Sequence, residues 1–204
     1  AEIQGLLDAA GISRAIEKVA ETKEEAKNMA TEVGYPLVMK VVGPVHKSDV
    51  GGVVLNITNE SEMLAEFERM IKIKDTTGIL LQPMLKGIEL FVGANFEPGF
   101  GHMIFCGLGG IFIEAIRDVK SGLAPLSMLE AMEMIEGLRG KKILDGIRGQ
   151  SGIDKIKFAE IIVRLSLLVT EAYVIQELDL NPLLGTEQGI VAVDARIRIK
   201  KSAL

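Results

Sequence analysis

Three oxygen-bearing side chains alternate near the end of the chain, at Glu177, Asp179 and Asn181, with leucines between them. Because successive side chains of a β-strand point to opposite faces, all three are predicted to share one face. Like charges on one face repel each other, so the pattern favours a hard cation that keeps several waters and binds phosphate groups. Asp194, in the apolar strand that follows, could provide another oxygen. The alternative is a row of solvent-facing polar residues on an edge strand.

A lysine and a glycine pair in the first quarter of the chain predict a contact with an anion. Lys40 interrupts the apolar run Pro36–Val42, which has the pattern of a strand buried on both faces. A buried ammonium group without an anionic partner is costly. Gly51 and Gly52 follow shortly after, and glycines let backbone N–H groups approach an anion closely. The alternative is a lysine that reaches solvent from the edge of the strand.

The loop at residues 43–52 also contains His46. A neutral imidazole is a competent nucleophile toward phosphoryl groups, although an ordinary exposed histidine is the simpler interpretation of a polar loop. His102 stands beside a glycine turn at the start of a predicted strand, and we expect it to have a structural role. Cys106 lies in an apolar, strand-like run and is expected to be a small buried hydrophobe.

The common motifs for phosphate binding and for hydrolysis are absent from the sequence. Neither the P-loop pattern nor a complete G-x-G-x-x-G occurs, so a nucleotide would have to be bound by another scheme. The H-E-x-x-H, C-x-x-C and G-x-S-x-G patterns are also missing, and the two histidines are too few for a His-rich metal site. Zinc enzymes and hydrolases with a catalytic triad are therefore excluded.

The composition describes an ordinary globular protein. The chain has 204 residues, of which 48% are hydrophobic and 25% charged, and its net charge is −5. A negative chain has no general field that would attract nucleic acid. The single cysteine fits a reducing compartment, and neither a secretory signal nor an apolar run long enough to span a membrane is recognisable. We therefore expect a cytoplasmic protein with no membrane and no nucleic-acid partner.

Helices and strands are mixed along the chain, with a middle that looks antiparallel, which predicts the α+β class. The capping-box pattern at Thr22 predicts a helix that ends at Gly34. Strand patterns then dominate residues 78–114. We therefore expect two lobes, at residues 1–77 and 78–204.

Together, these residues resemble the ATP-grasp fold, and most closely the β subunit or β domain of NDP-forming acyl-CoA synthetases, relatives of succinyl-CoA synthetase. The resemblance implies an α+β, two-lobed protein that binds a nucleotide between the lobes. The motifs that carry it span most of the chain: His46–Val53, Gly107–Glu114, Leu144–Gly149, Glu177–Leu183 and Val193–Arg196.

The resemblance also implies roles for the nucleotide-binding residues. Lys40 would contact the nucleotide phosphates, and Gly51 and Gly52 would supply backbone donors. Four consecutive residues match the hinge that receives adenine: Gln82, Pro83, Met84 and Leu85.

The remaining roles concern catalysis and the metal. Glu89 matches an acid of the nucleotide site, with a catalytic and a cofactor-binding role. Asn181 and Asp194 match the Mg²⁺ ligands, with Asp179 as a close neighbour. His46 matches a histidine that this family uses as a second phosphate carrier.

The resemblance implies an incomplete enzyme, an ADP-forming acid–thiol ligase without its CoA site. The chain would transfer phosphate between a phosphohistidine and ADP or ATP with Mg²⁺, while a CoA-binding α subunit or fused α domain makes or breaks the thioester. One alternative is a regulatory or assembly domain of a fused protein, such as a protein lysine acetyltransferase. It is favoured by the short segment before His46 and by Gly122, where an arginine is usual. A carboxylate–amine ligase is the other alternative, but the chain has no length for its acceptor site.

Overall fold

Two separate hydrophobic cores divide the chain into two units. The computed structural model describes residues 2–43, 50–110, 118–147, 149 and 151–200. Ala15–Leu85 form the smaller unit, and Ala1–Arg14 together with Lys86–Leu204 form the larger unit.

The smaller unit is a four-stranded antiparallel sheet with two helices packed on one face. Its elements are β1 (Lys18–Ala20), α2 (Lys23–Val33), β2 (Leu37–Val42), β3 (Val53–Ile57), α3 (Glu60–Met70) and β4 (Gly78–Pro83), and the strand order is β1-β4-β2-β3. Alternate residues of the central strands, such as Met39 and Leu81, are fully buried in the core beneath the helices. Thr22 and Glu25 form the capping box that starts α2, as the sequence predicts.

The larger unit is a six-stranded antiparallel sheet with its core on one face. Its helices are α1 (Glu2–Ala9), α4 (Met128–Glu136), α5 (Lys141–Leu144) and α6 (Lys155–Glu171). Its strands are β5 (Ile88–Glu97), β6 (Gly101–Leu108), β7 (Val119–Leu123), β8 (Ile175–Thr186), β9 (Gly189–Ala192) and β10 (Ala195–Ile199). The strand order is β10-β8-β5-β6-β7, and β9 forms a hairpin with β8. Leu178 and Leu180 of β8 are buried in the core with Phe158 of α6. Helices and antiparallel sheets in both units give the predicted α+β class.

The boundary between the units differs from the predicted lobes 1–77 and 78–204. Strand β4 belongs to the smaller unit because it pairs with β1 on one side and with β2 on the other. Helix α1 belongs to the larger unit because Leu7 and Ile12 are buried in that unit's core. Both assignments depend on contacts between residues distant in sequence, which local patterns do not reveal.

His102 and Cys106 are both buried in the larger unit, as expected for structural residues. Nε2 of His102 donates to the carbonyl oxygen of Ile175 at 2.7 Å. Burial, with a smaller effect from the Asp118 carboxylate, raises the pKa of the Cys106 thiol to about 12. The Cys106 thiol is therefore not available as a nucleophile at neutral pH, and the His102 ring is buried away from solvent.

In the described part of the chain, each helix is too short or too polar to cross a membrane.

Candidate functional site

Lys40 lies in the middle of β2, on the face of the smaller sheet that the helices leave uncovered. It pairs with Leu80 of β4 and Val53 of β3, and it is half-buried. Its neighbours Met39 and Val41 are fully buried on the helix side. The Lys40 side chain therefore lies on the face of β2 opposite the hydrophobic core.

The Gly51–Gly52 turn lies beside Lys40, because the strand that it opens pairs with Lys40 through Val53. Gly51 has a φ of +66°, a conformation that favours glycine. The Gly52 carbonyl accepts the N–H of Val41 at 2.8 Å, which ties the turn to β2. The structure thus brings two of the predicted phosphate-binding elements together. His46, the third, lies outside the described residues.

The predicted hinge residues stand at the end of β4. Gln82 is buried, and its Nε2 donates to Oε2 of Glu17 at 3.0 Å. The backbone N–H of Met84 donates to the carbonyl of Pro36 at 2.9 Å. A base that binds the main chain of the hinge would therefore have to use groups other than this N–H. Pro83 and Leu85 are half-buried on either side of Met84.

Glu89 is an exposed residue of β5 in the larger unit, and it lies against a glycine turn. Its carbonyl accepts the N–H of Gly109 at 2.7 Å. Gly110 has a φ of +59°, and a Cβ built there would be 2.2 Å from Oε2 of Glu89. The carboxylate thus occupies the space that a side chain at residue 110 would need, which explains the glycine at this position.

Asn181 and Asp194 are held together by the backbone of the larger unit. The N–H of Asn181 donates to the carbonyl of Asp194 at 3.2 Å, and the N–H of Val193 donates to the carbonyl of Pro182 at 3.0 Å. Oδ1 of Asp194 also accepts the N–H of Ala195 at 2.9 Å, which orients the carboxylate. The backbone at the base of the β8–β9 hairpin therefore brings residues 181 and 194 together, although they are 13 positions apart in the sequence.

Asp179 lies two residues before Asn181 on the same strand, opposite Arg196 of β10 and Gly93 of β5. Burial raises the pKa of the Asp179 carboxyl, the charge of Arg196 opposes this rise, and the charge of Asp194 adds to it. Asp179 and Asp194 are on either side of the paired residues Leu180 and Ala195, which connect β8 to β10.

Glu177 behaves differently from the two other oxygen-bearing residues of β8. It is exposed and forms an ion pair with Arg198 of β10. This hydrogen bond lowers the pKa of the Glu177 carboxyl. Glu177 is therefore occupied by a structural ion pair.

The donors at Asn181 and Asp194 fit Mg²⁺, which is usually bound by one or two carboxylates, several waters and substrate phosphates. Within the described ranges, no group of three or more His, Cys, Asp and Glu side chains could hold a metal ion. A metal held by protein side chains alone, such as structural zinc, therefore has no site in these ranges.

Two contacts near the candidate residues were missed by the sequence analysis. Glu17 contacts Gln82 across 65 positions, and Arg69 of α3 donates to the carbonyl of Gly51 at 3.0 Å. Nothing in the local sequence distinguishes these side chains from ordinary surface charges, so only the tertiary contacts identify them.

Comparison with known proteins agrees with the fold. The ATP-grasp domain family matches residues 1–199 of the chain. The chain therefore belongs to the ATP-grasp domain family, and the predicted α+β, ATP-grasp fold is confirmed.

Within this family, several relatives are named ADP-forming acetate–CoA ligases, and others are named 4-hydroxybutyrate–CoA ligase and trans-feruloyl-CoA synthase. The chain is 38% identical over 190 residues to the β subunit of ADP-forming acetate–CoA ligase I from Pyrococcus furiosus, and the match covers 88% of this chain and 82% of that subunit. It is 41% identical over 199 residues to ADP-forming acetate–CoA ligase II from Archaeoglobus fulgidus, which covers 96% of this chain but only 29% of that protein. The resemblance to the β subunit or β domain of these enzymes is thereby confirmed, and the chain spans less than a third of the longer relative.

Solved structures agree with this placement. Dinucleotide-forming acetyl-coenzyme A synthetase 1 from Ca. Korarchaeum cryptofilum, in complex with coenzyme A and Ca-AMPCP, has a TM-score of 0.92 and 36% identity, covering 97% of this chain and 90% of that one. Another structure of that enzyme holds coenzyme A and Mg-AMPPCP, with a phosphohistidine segment that points towards the nucleotide-binding site; its TM-score is 0.86 at 36% identity, covering 98% of this chain and 91% of that one.

Proposed function

We propose that the chain is the nucleotide-handling part of an ADP-forming acyl-CoA synthetase. In this role it exchanges a phosphoryl group between a phosphohistidine and ADP, so that a P–N bond breaks as the terminal P–O bond of ATP forms. A separate CoA-binding α subunit, or a fused α domain, makes or breaks the thioester. The observation that carries the proposal is the pairing of Asn181 with Asp194 in a chain that matches most of a β subunit.

The smaller unit would bind the phosphates and the base. Lys40 supplies a positive charge on the uncovered face of its sheet, next to the Gly51–Gly52 turn. Phosphoryl transfer needs alignment and neutralisation of charge more than covalent help from the protein, and these groups provide both. Adenine would be received at the end of β4, by Gln82 and the residues that follow it.

The larger unit would hold the metal. Asn181 and Asp194 would provide oxygen ligands, and Asp179 is a neighbour of Asn181 on the same strand. Mg²⁺ bound there would neutralise charge on the transferred phosphoryl group. Glu89, an exposed acid of the same unit, would contact the nucleotide.

We propose His46 as the phosphate carrier: its neutral imidazole attacks the terminal phosphorus of ATP, and ADP leaves as the P–N bond forms. A relative's structure contains a phosphohistidine segment that points towards its nucleotide site. A cytoplasmic location and a CoA-binding partner are part of the same proposal, supported by relatives that are β subunits.

The deciding experiment mixes the chain with its CoA-binding α partner and ATP labelled in the terminal phosphate. We expect label on this chain that is labile in acid and stable in base, and its loss in His46→Ala. His102→Gln is the matched control, because His102 is buried and hydrogen-bonded to Ile175. Label that survives in His46→Ala would refute the relay. No label on the wild-type chain, with Mg-ATP binding intact, would instead favour a regulatory domain.

A further inference from the structure

Arg69 connects helix α3 to the Gly51–Gly52 turn of the smaller unit. It lies in the last turn of α3, and its Nη2 donates to the carbonyl of Gly51 at 3.0 Å. Its Nε donates to Oε2 of Glu66, one turn earlier, at 2.7 Å. The guanidinium is therefore anchored to its own helix while it holds the turn.

This contact determines the direction of a backbone donor. The carbonyl of Gly51 and the N–H of Gly52 belong to one planar trans peptide, so they point in opposite directions. A guanidinium that holds the carbonyl therefore aims the Gly52 N–H away from Arg69. It also polarises the peptide, and a polarised peptide is a stronger donor on its N–H side.

The next peptide of the turn is held in a similar way. The carbonyl of Gly52 accepts the N–H of Val41 at 2.8 Å. Both carbonyls of the glycine pair are thus fixed, one by α3 and the other by β2. Glycine has the largest conformational freedom of any residue, so a turn of two glycines needs such restraints to present its N–H groups in one orientation.

We propose that Arg69 is a positioning residue for nucleotide phosphates, acting through the Gly51–Gly52 turn. The inference rests on the proposed function, since it assumes that this turn receives the phosphates. The ligand class is a nucleoside diphosphate or triphosphate. Adenosine has no phosphate, so its binding affinity should not depend on Arg69.

The test uses the full chain with Mg²⁺ and compares the binding of ADP and adenosine by isothermal titration calorimetry. Arg69→Met keeps the side-chain stem but removes the donors. We expect it to weaken ADP binding about tenfold, the order expected for one charge-assisted hydrogen bond, and to leave adenosine binding unchanged. Arg69→Lys should recover part of the ADP affinity, because an ammonium can reach one of the two partners.

Lys23→Met is the matched control. It removes an exposed ion pair that connects α3 to α2, between Glu68 and Lys23. We expect normal ADP affinity in this variant and similar thermal midpoints in all variants. If wild type and Arg69→Met bind ADP with equal affinity, the inference about Arg69 is overturned and the proposed function is not. The same conclusion follows if Arg69→Met loses as much affinity for adenosine as for ADP. A wild-type chain that binds no nucleotide would overturn the proposed function as well.

Discussion

Replacing Gly110 by alanine should displace the Glu89 carboxylate by a predictable amount. The new Cβ would stand 2.2 Å from Oε2, whereas ordinary contacts begin at 3.4 Å, so the carboxylate must move by at least 1.2 Å. Glu89 is a flexible side chain, so this shift is cheap. The main energetic cost is the φ of +59°, which destabilises a non-glycine residue by about 1–2 kcal/mol.

Two measurements separate these effects. The stability loss should lower the midpoint of thermal unfolding by about 2–8 °C, at roughly 2–4 °C for each kcal/mol. If Glu89 contacts the nucleotide as proposed, its displacement by about 1 Å should misalign the substrate, which can cost about 100-fold in rate, so ADP phosphorylation in the presence of the α partner should fall by up to that factor. Unfolding is followed by circular dichroism, and the rate by formation of ATP.

Gly99→Ala is the control for backbone strain. Gly99 has a φ of +86°, and no atom lies within 4 Å of a Cβ built there. It should therefore lose similar stability and keep its rate. An unchanged rate in Gly110→Ala, or an equal rate loss in Gly99→Ala, would refute the role of Glu89.

Three further predictions concern the metal, a buried carboxylate and a tight turn. Asp194→Asn should weaken Mg-dependent ADP binding by about tenfold or more, as even outer-shell metal partners do, and should leave binding in EDTA unchanged; an equal loss in EDTA would contradict a metal role. Asp118 accepts the N–H groups of Arg139 and Gly140 at 3.0 and 2.7 Å; its burial opposes ionisation, but these hydrogen bonds prevail and lower its pKa. The contribution of Asp118 to stability is thus present above the unfolded pKa and is lost as the pH falls through the folded pKa. Asp118→Asn should therefore cost about 1–3 kcal/mol of unfolding free energy at pH 7. It should also flatten the acid side of the plot of this free energy against pH, measured by urea unfolding. Gly43→Ala should cost about 2–5 kcal/mol by the same assay, because its φ is +123° and its Cβ would be 2.0 Å from the carbonyl oxygen of Asp75; wild-type stability would show that the turn can rearrange.

Local patterns were enough to predict the elements that carry the candidate residues. Lys40 interrupts an apolar run, and Asp179 and Asn181 alternate with leucines, so both strands were recognisable. Thr22 begins its helix through the capping box that the sequence contains. In each case the signal lies within a few residues of the feature.

The features that were missed depend on contacts across the chain. The unit boundary depends on the pairing of β4 with β1, whose residues are more than 50 positions away. Strand β7 escaped prediction because Gly122 interrupts its short pattern. The contacts of Glu17 with Gln82 and of Arg69 with Gly51 join residues that are 65 and 18 positions apart, and no periodicity reports them.

The β8–β9 hairpin also suggests where the chain can be lengthened. Its ladder runs from Leu183 paired with Ala192 to Thr186 paired with Gly189, and Asn181 and Asp194 lie just beyond the open end of this ladder. The tip, at residues 187 and 188, is exposed and lies at the opposite end. An inserted peptide tag or fluorescent reporter at the tip should therefore leave the spacing of the two proposed ligands unchanged, which makes this hairpin a suitable position for a sensor.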